Sequence, residues 1–529
     1  MPNHTRYPYF DCLHSLSDLH LSTAPSSFDL PCRLAGAILY VTRRIGKTCQ
    51  HGQRHALVLN GDFIDFPGCE GSGFFNRHQA VEILDKVISS RQNGRVFNAL
   101  ARYIRSDRPQ PSTLVIIAGN HDPELCLPTV QKKLRDEIAG DDPGARGRIR
   151  FVTDGAGFRC RVGGCNVLLM HGNEVDKHNT VDYEGLRMAC YDLTHDRMFS
   201  DTVTPSMGTM LVVRVINTLK KKYPFVDMVK PEIDDNLPLL NAVCDDLRSE
   251  FRHVLAILRS RLPVQPPDTE HPWNMLESGY ARPVLPVMNQ GGADLLRDVF
   301  LEYLDAENES SEDELFEDIV DEELGLGPWI RFISDRMLAN ILLPYVTVYS
   351  RPDSRESRIE TARKRLADKK LKKQRQETHN LESKDAIIRA LEASPSLVGS
   401  DIHFLVAGHT HLRRCHAFGR AQWYYNTGSW TPVVRLPDQI IDDKQIFSLL
   451  VNEIRNNKNY LKTFSGAWHI NEKGIDKQIE QLIYCHPSMV CLESLASQGH
   501  GTGCRAVLCD IYQHGRVREI AGTRQEVYP

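Results

Sequence analysis

Short runs of consecutive apolar residues, separated by longer segments with helical spacing, dominate the first part of this chain. Runs of this kind are typical of buried parallel strands, and they occur at 56–59, 114–117 and 167–170. A further run of this type, interrupted only by His403, occurs later in the chain at 402–406. Between the first two runs, His78 to Ile104 carries apolar residues at intervals of three and four, which predicts a helix. The alternation of strands and helices predicts an α/β layered fold.

The α/β pattern stops between about residues 179 and 400, where the apolar spacing is mainly helical. Residues 301–327 are rich in Asp and Glu, whereas 355–373 are crowded with Arg and Lys around a thin apolar stripe. We therefore expect most of the 355–373 helix to be solvated. A helical cap at 179–400, inserted between two strands of one sheet, is the economical interpretation. The predicted domains are 1–178 and 401–529, which form one α/β domain in two parts, and 179–400.

The end of the chain contains further β-rich segments. Residues 413–418 and 422–426 predict paired strands, and 442–454 predict a helix. Two later runs, 489–493 and 505–520, are predicted to form a second sheet packed on the first.

Composition excludes several classes of protein. The formal net charge of −4 gives no global reason to expect nucleic acid or an anionic membrane as partner. The 14 cysteines contain no C-x-x-C pair, so neither a disulfide framework nor a structural zinc site is indicated. Scattered thiols, no recognisable signal peptide and no apolar run long enough to span a bilayer predict a cytoplasmic protein without a transmembrane segment.

Five polar clusters each follow an apolar run, and their positions indicate where chemistry takes place. They are Ser17-Asp18-Leu19-His20, Asn60-Gly61-Asp62, Gly119-Asn120-His121-Asp122, Met170-His171-Gly172 and Ala407-Gly408-His409-Thr410-His411. In the last cluster, residues two apart in an extended chain point to the same side, so both imidazoles can face one target. Strand ends that meet at one edge of a sheet are where α/β folds place their sites.

The side chains of these clusters predict a metal site. The candidate ligands are Asp18, His20, Asp62, Asn120, His171, His409 and His411. Carboxylate, imidazole and amide oxygen together suit a borderline divalent cation such as Mn²⁺, Fe²⁺ or Zn²⁺. Seven ligands are too many for one tetrahedral ion but suit two ions that share a carboxylate. Two ions roughly 3.5–4 Å apart are the arrangement used for in-line displacement at phosphorus.

In their order along the chain, these clusters resemble the motifs of the calcineurin-like metallophosphoesterase superfamily: D-x-H, G-D-x-x-D, G-N-H-D, H-G and G-H-T-H. The resemblance covers residues 11–175 and 401–430 and implies a four-layer α/β-β/α sandwich. It implies that one metal is held by Asp18, His20, Asp62 and His411, and the other by Asp62, Asn120, His171 and His409. His121 corresponds to the family's non-ligand histidine, which contacts the phosphate or protonates the leaving oxygen.

One branch of the superfamily shares the position of the helical insertion. An insertion between H-G and G-H-T-H, together with the opening Ser-Asp-Leu-His-Leu at 17–21, is similar to UDP-2,3-diacylglucosamine hydrolases. Those enzymes usually carry Arg where His121 stands, so the resemblance transfers the reaction class and not the substrate.

The predicted function is hydrolysis of a phosphomonoester, phosphodiester or pyrophosphate bond by a metal-bridging hydroxide, with Asp62 and His121 as the catalytic residues. The expected cofactors are two divalent ions, Mn²⁺ by preference, with Fe or Zn as alternatives. A small, nucleotide-linked anionic substrate is favoured over DNA or RNA. Three further functions stay open: a nuclease of the same superfamily, a lipid-linked nucleotide pyrophosphatase and a non-catalytic metal-binding scaffold.

Several polar residues near the motifs are open to two interpretations. Asp65 either orients His121 or caps a helix, and Asp122 is similarly open. Five histidines lie outside the ligand pattern and are interpreted as surface or core residues: His14, His51, His55, His178 and His403.

Overall fold

A computed structural model describes residues 7–245 and 354–529. Not described within these ranges are 24–29, 49–52, 70–73, 107–110, 177–178, 229–236, 368–379, 394–397, 457–462, 497–501, 513–514, several positions between 196 and 216, and 435, 466, 473–474 and 480. The chain divides into two compact units. The α/β unit consists of Met1–Thr209, Lys373–Arg435 and Leu461–Pro529, and the helical unit consists of Met210–Lys372 and Leu436–Tyr460. The predicted domain boundaries stay a prediction.

Within the described residues, the larger sheet of the α/β unit has eight strands. They are β2 (Cys12–Leu16), β3 (His55–Asn60), β4 (Thr113–Ile117), β5 (Ile149–Val152), β15 (Ser488–Ser494), β16 (Cys504–Ile511), β17 (Val517–Glu519) and β18 (Gln525–Val527). Their order across the sheet is β17-β16-β15-β2-β3-β4-β5, with β18 also paired to β16. Strands β2 to β5 run parallel, and β15 joins β2 antiparallel.

The tail strands therefore extend this sheet, and the prediction that they form a second sheet is wrong. The register pairs Leu492 with Leu13, and both side chains are buried in the same core. The alternation of β15 thus matches that of β2, and its pairing satisfies backbone groups that β2 would otherwise leave at a sheet edge.

In the part of the chain that the structure describes, the smaller sheet has six strands in the order β1-β6-β7-β8-β10-β9. They are β1 (Tyr9–Phe10), β6 (Phe158–Val162), β7 (Cys165–Leu169), β8 (Phe404–Ala407), β9 (Arg413–Gly419) and β10 (Gln422–Thr427). Strands β7 and β8 lie on either side of the helical segment in sequence and pair in parallel, with Leu168 opposite Leu405. This confirms that the helical segment is inserted between two strands of one sheet.

Two short antiparallel pairs complete the strands of the described residues. β11 (Val433–Val434) pairs with β14 (Ile483–Tyr484), and β12 (Trp468–Glu472) pairs with β13 (Ile475–Ile479).

Helices cover the outer faces of both sheets. The helices of the α/β unit are Leu30–Thr48, Ala80–Ser89, Gly94–Ile104, Pro128–Ala139, Pro143–Gly147, Tyr183–Thr194 and Ala386–Ala393, with a 3₁₀ helix at Pro123–Cys126. The first four pack against the larger sheet, and Ala386–Ala393 packs against the smaller one. These helices form one apolar core with each sheet, and a separate apolar core, which includes Val58 and Val406, lies between the two sheets. The predicted four-layer α/β-β/α sandwich is confirmed.

The helix predicted over 78–104 is two helices. The backbone of Ser90 is extended, with ψ at 137°, and Asn93 donates from Nδ2 to the carbonyls of Ser22 at 2.9 Å and Val87 at 3.2 Å. Short polar side chains that bond to nearby backbone groups compete with helical hydrogen bonding, and the break lies where two such residues occur.

The described part of the helical unit consists of short helices. They are Asn217–Lys222, Leu237–Val243, Arg355–Leu366, Asp438–Ile441 and Lys444–Asn456, with a 3₁₀ helix at Pro224–Met228. The mainly helical character predicted for the insertion is thus confirmed where it is described. The acidic residues 301–327 lie outside the described residues.

The prediction that the basic helix is mostly solvated is wrong for Arg355–Leu366. The stripe residues Ile359, Ala362 and Leu366 are buried as expected. However, Arg358 Nη2 lies 2.6 Å from Asp245 Oδ1, Arg363 pairs with Glu360, and Arg355 donates to Asn452. These guanidinium groups serve the unit's internal packing. The basic residues from 368 to 373 lie outside the described residues.

Candidate metal centre

The five polar clusters meet at the carboxyl ends of strands from both sheets. The loops after β2 and β3 are tied together, since Asp18 N donates to the Gly61 carbonyl at 3.2 Å and His20 N donates to the Asp62 carbonyl at 2.9 Å. The loops after β7 and β8 are tied in the same way, through Gly408 N and the His171 carbonyl at 2.8 Å. The predicted convergence of strand ends is what brings these loops together.

Backbone strain is concentrated in this region. Seven of the described non-glycine residues have positive φ, and five of them are predicted ligands: Asp18 (52°), His20 (46°), Asp62 (50°), His409 (67°) and His411 (57°). Each such residue costs on the order of 1–3 kcal/mol, and such strain is found where function fixes side-chain direction. The fold therefore holds these side chains in directions that an unstrained loop would not give them.

Two glycines permit the close approach of the loops. Gly61 has a φ of +85°, and a Cβ there would overlap the ring of His171. A Cβ on Gly408 would overlap Ser17 Oγ and Asp18 Oδ2. The glycines of the G-D and G-H-T-H motifs are thus required by the packing of the site itself.

The buried Asp62 carboxylate lies at the centre of the cluster. Its Oδ2 lies 3.2 Å from His171 Nε2 and 3.7 Å from His20 Nε2. Its Oδ1 accepts from the backbone N of His121 at 2.9 Å. One carboxylate therefore contacts three of the five clusters.

Asp18 occupies a second buried position. Both its oxygens accept from the backbone N of His409 at 3.0 Å, and His411 Nε2 lies 3.7 Å from Oδ1. Ser17 donates to Oδ2 and also contacts Thr427. The first and last clusters of the chain are therefore bound directly to each other.

Each of four imidazoles has one ring nitrogen occupied by the protein. Nδ1 is the occupied atom in His171 (Asn60 carbonyl, 3.0 Å), His411 (Ser429 Oγ, 2.6 Å) and His121 (Asp65 Oδ1, 2.9 Å). In His409 it is Nε2, which lies 2.8 Å from Asp176 Oδ2. Neighbours of this kind fix the ring orientation of metal-binding histidines.

The charges of the site shift its pKa values strongly. Burial raises the pKa of Asp18 to about 6, although the His171 charge opposes it. Burial also acts to raise the pKa of Asp62, but the positive charges of His171, His121 and His20 outweigh it and hold that pKa well below its usual range. Burial acts to lower the pKa of His171, but Asp62, Asp18 and Glu174 outweigh it and raise it to about 10. In the protein alone, protons thus offset the carboxylates, a role that a bound cation can take.

The donors fit a divalent cation. Three overlapping groups bring their ligand atoms within 4.8 Å of one another: Asp18 with His20 and His411, His20 with Asp62 and His121, and Asp18 with Asp62 and His171. Among the described residues, the buried Asn120 Oδ1 has no hydrogen-bond partner, which is unusual for a buried amide oxygen. A buried amide oxygen without a hydrogen-bond donor, next in sequence to His121, is suited to contact a cation.

The predicted ligands are not all equally close. Asp18, His20, Asp62, His171 and His411 belong to the three groups, whereas His409 does not. The His409 ring lies near His171, with centroids 5.3 Å apart. His121, which was predicted not to bind a metal, also belongs to one group, with His20 and Asp62. A short distance to these residues is expected both for a metal ligand and for a side chain that only lies next to the ligands. The seven ligand assignments and the catalytic assignments of Asp62 and His121 therefore stay predictions.

Asp65 and Asp122 take structural partners near the site. Asp65 contacts His121 and also accepts from Gly68 N at 3.1 Å, so it orients His121 and holds a turn at 66–68 rather than capping a helix. The buried Asp122 accepts from Phe63 N at 2.7 Å and from Gly119 N at 2.6 Å, and so joins the second and third clusters.

Four residues of the site were not predicted as functional: Asn60, Glu174, Asp176 and Ser429. Asn60 lies within one of the five predicted clusters, so its position in the sequence could have indicated a role in the site. Glu174 accepts from Gly172 N at 2.6 Å, and its signal was an acidic residue placed just after H-G. No spacing in the sequence connects Asp176 to His409 or Ser429 to His411.

The histidines outside the ligand pattern were interpreted as surface or core residues, and those that are described fit this interpretation. His14 and His55 are buried, and burial lowers the pKa of His14 to about 3. His403 accepts from Asn166 N at 3.1 Å through Nδ1. His51 and His178 lie outside the described residues.

Comparison with known proteins agrees with this geometry. A model of the calcineurin-like phosphoesterase family matches residues 15–218, which hold the first four clusters. No curated protein matches the chain. None of the helices in the described ranges is both long and apolar enough to cross a bilayer. The family match over residues 15–218, the sandwich fold and the order of the motifs together confirm the resemblance to the calcineurin-like phosphoesterase superfamily.

Proposed function

We propose that this protein hydrolyses a phosphomonoester, phosphodiester or pyrophosphate bond at a site for two divalent cations. The observation that carries the proposal is the position of the Asp62 carboxylate, whose Oδ2 lies 3.2 Å from His171 Nε2 and 3.7 Å from His20 Nε2. These histidines belong to different candidate metal groups, and Asp62 is common to both groups. A carboxylate in that position is suited to being shared by two ions.

The residues assigned to each ion follow the motifs. Asp18, His20, Asp62 and His411 would hold one ion, and Asp62, Asn120, His171 and His409 would hold the other. When bound, two divalent cations activate a water molecule and neutralise charge on the phosphoryl oxygens. Mn²⁺ is the proposed metal, with Fe or Zn as alternatives, because the donors are nitrogen and oxygen without thiolate.

His121 is the proposed acid of the reaction. Its Nδ1 is held by Asp65 at 2.9 Å, and its ring lies edge-on to His20 with centroids 4.7 Å apart. Because Asp65 holds Nδ1, Nε2 is the nitrogen proposed to face a substrate. An imidazolium there would donate a proton to the leaving oxygen or stabilise charge on the phosphate.

The proposed substrate is a small anionic phosphate ester, with a nucleotide-linked ester favoured, in the cytoplasm. Support comes from the net charge of −4 and from the arginines of Arg355–Leu366 that are engaged within the helical unit. No disulfide is present among the thirteen cysteines of the described residues, which fits a reducing compartment.

Metal removal and restoration test this function. The full chain, stripped of metal with a chelator, should not hydrolyse a nitrophenyl phosphodiester or monoester, and added Mn²⁺ should restore turnover. Equal turnover with and without metal would contradict a metal-dependent mechanism.

The same assay separates the competing functions. An absence of turnover on every phosphate ester with Mn²⁺ present would favour the non-catalytic scaffold. Activity only with detergent and a lipid-linked pyrophosphate would identify a lipid-linked nucleotide pyrophosphatase. Release of nucleotides from DNA or RNA would identify a nuclease.

A further inference from the structure

The contact between His409 and Asp176 lies outside every motif recognised in the sequence. Asp176 follows His171 by five residues, in the loop that leads toward the helix Tyr183–Thr194. Its Oδ2 lies 2.8 Å from His409 Nε2, and the side chains are 18 % and 9 % exposed. The contact is therefore well shielded from water.

The chemistry of this pair fixes which ring nitrogen of His409 carries the proton. An ionised carboxylate only accepts hydrogen bonds, so Nε2 must be the donor. In the neutral imidazole, the lone pair then lies on Nδ1. We infer that Asp176 is a positioning residue that holds His409 as its Nε2–H tautomer and leaves Nδ1 as the nitrogen available to a cation. This inference rests on the proposed metal site.

His171, assigned to the same ion, has the opposite arrangement. Its Nδ1 lies 3.0 Å from the Asn60 carbonyl, which can only accept, so Nε2 is the nitrogen that it can offer to a cation. The two histidines would therefore offer different ring atoms to that ion, Nδ1 from His409 and Nε2 from His171. In this fold, the difference follows from the protein partner of each ring, Asp176 for His409 and the Asn60 carbonyl for His171.

The backbone of His409 is fixed independently of Asp176. Its N donates to both oxygens of Asp18 at 3.0 Å, and its φ is 67°. What Asp176 adds is the orientation and tautomer of the ring. Loss of the carboxylate should therefore affect the ring without displacing the loop.

Asp176 is itself held on a turn that supplies a matched control. Asn179 Nδ2 donates to Asp176 Oδ2 at 2.8 Å, and the Asp176 carbonyl accepts from Thr180 N at 2.9 Å. Asn179→Ala removes a hydrogen bond to the same oxygen but leaves the contact with His409. If Asp176 acted only by shaping this turn, both substitutions would have similar effects.

The test is a Mn²⁺ titration of the metal-stripped full chain, with folding checked by circular dichroism. Wild type should bind two ions. Asp176→Ala should weaken one of them by about 10–100-fold, the range typical for removal of a histidine's outer partner. Asp176→Asn should lose less, because its amide oxygen can still accept from Nε2, and Asn179→Ala should bind as wild type does.

A second readout does not depend on bound metal. Nuclear magnetic resonance of ¹⁵N-histidine-labelled, metal-free protein, with the His409 signal assigned from a His409→Gln sample, should show the proton on Nε2. Its loss or redistribution in Asp176→Ala would support the inference. A wild-type proton on Nδ1, or two ions bound equally well by Asp176→Ala, would overturn it. If Asp176→Ala does not fold, the inference is judged on wild type alone: a proton on Nε2 of His409 supports it, and a proton on Nδ1 overturns it. A wild type that binds no ions would instead contradict the proposed function.

Discussion

Nδ1 of His121 lies 2.9 Å from Oδ1 of Asp65, so a carboxylate outside the proposed ligand set orients the proposed acid. The same carboxylate oxygen accepts from Gly68 N at 3.1 Å, which holds it in place. An imidazole with an anchored Nδ1–H presents Nε2 in a fixed direction. The rate of proton donation by His121 should therefore depend on Asp65, although Asp65 itself is assigned to neither the substrate nor a metal.

Replacing His121 should change turnover more than metal content. We predict that His121→Ala retains both ions and loses roughly 10²–10⁴-fold in kcat, because a positioned acid contributes about that much. The loss should be smaller for a nitrophenyl ester, whose leaving group needs little protonation. Metal analysis and kcat on esters with good and poor leaving groups measure both effects.

Asp65→Asn supplies the matched variant for this pair. Its amide can still contact the ring but lacks the charge that favours an imidazolium, so kcat should fall less than in His121→Ala. Equal losses in His121→Ala for good and poor leaving groups would rule out the acid role and leave only electrostatic contact.

Gly408 should tolerate no side chain. A Cβ there would overlap Ser17 Oγ and Asp18 Oδ2, so Gly408→Ala should displace Asp18 and weaken metal binding by about tenfold or more. Gly147→Ala is the control, because no atom lies within 4 Å of the added Cβ. Titration with Mn²⁺ compares the two variants. Unchanged binding in Gly408→Ala would show that Asp18 is not held as described.

Much of the α/β fold could be predicted because buried parallel strands are nearly continuous apolar runs. The runs at β3, β4, β7 and β8 have few polar interruptions, so hydrophobic pattern alone identified them. The sheet that β15 joins could not be predicted, since an apolar strand fits either sheet until its partner is known. The break at Ser90 to Asn93 had a signal in the sequence that the prediction did not use, because residues 89–95 contain no apolar side chain and include Ser, Asn and Gly.

The metal site was predictable to the extent that its residues follow strands. Asp18, Asp62 and His171 each stand two residues after the end of a strand (β2, β3 and β7), so the geometry of parallel strands brings them together. The contacts that orient the rings come from loops, and loop conformation depends on tertiary packing. Asp176 and Ser429 therefore emerge only from the folded structure.

The buried Glu124 should make the stability of the protein depend on pH. Burial, with a further contribution from the Asp122 charge, raises the pKa of Glu124 to about 8 from an ordinary value of 4.5. As pH rises from 4.5 toward 8, the unfolded chain releases this proton while the folded chain retains it. Folding therefore becomes less favourable through that window, and the penalty is complete above it.

Glu124→Gln removes this ionisation. We predict that the variant has nearly the same Tm as wild type at pH about 5 and a higher Tm, by several degrees, at pH about 9. Thermal unfolding of the metal-stripped chain at both pH values measures the difference. A Tm difference that is the same at the two pH values would contradict a buried, raised-pKa carboxyl at this position.

The basic residues beyond Arg355–Leu366 should not bind nucleic acid. We predict that changing Lys369, Lys370, Lys372 and Lys373 to Gln leaves hydrolysis of a small chromogenic diester nearly unchanged. Binding of wild type to single- and double-stranded oligonucleotides should depend weakly on salt. If a nucleic acid were gripped there, binding would fall steeply with salt, and each lost phosphate contact would flatten the log–log slope by about 0.7–0.9. That result would favour the nuclease.

Metal stoichiometry of the wild type and of Asp62→Asn tests the two-metal site most directly. Asn keeps the shape of the side chain, so the fold should survive, whereas the charge that serves both ions is lost. We predict two Mn²⁺ ions per wild-type chain, and in Asp62→Asn the loss of at least one ion together with most of the phosphoesterase activity. Elemental analysis after equilibrium dialysis, with turnover measured on the same samples, gives both quantities. Two retained ions with normal turnover in Asp62→Asn would contradict the assignment of Asp62 as the shared ligand.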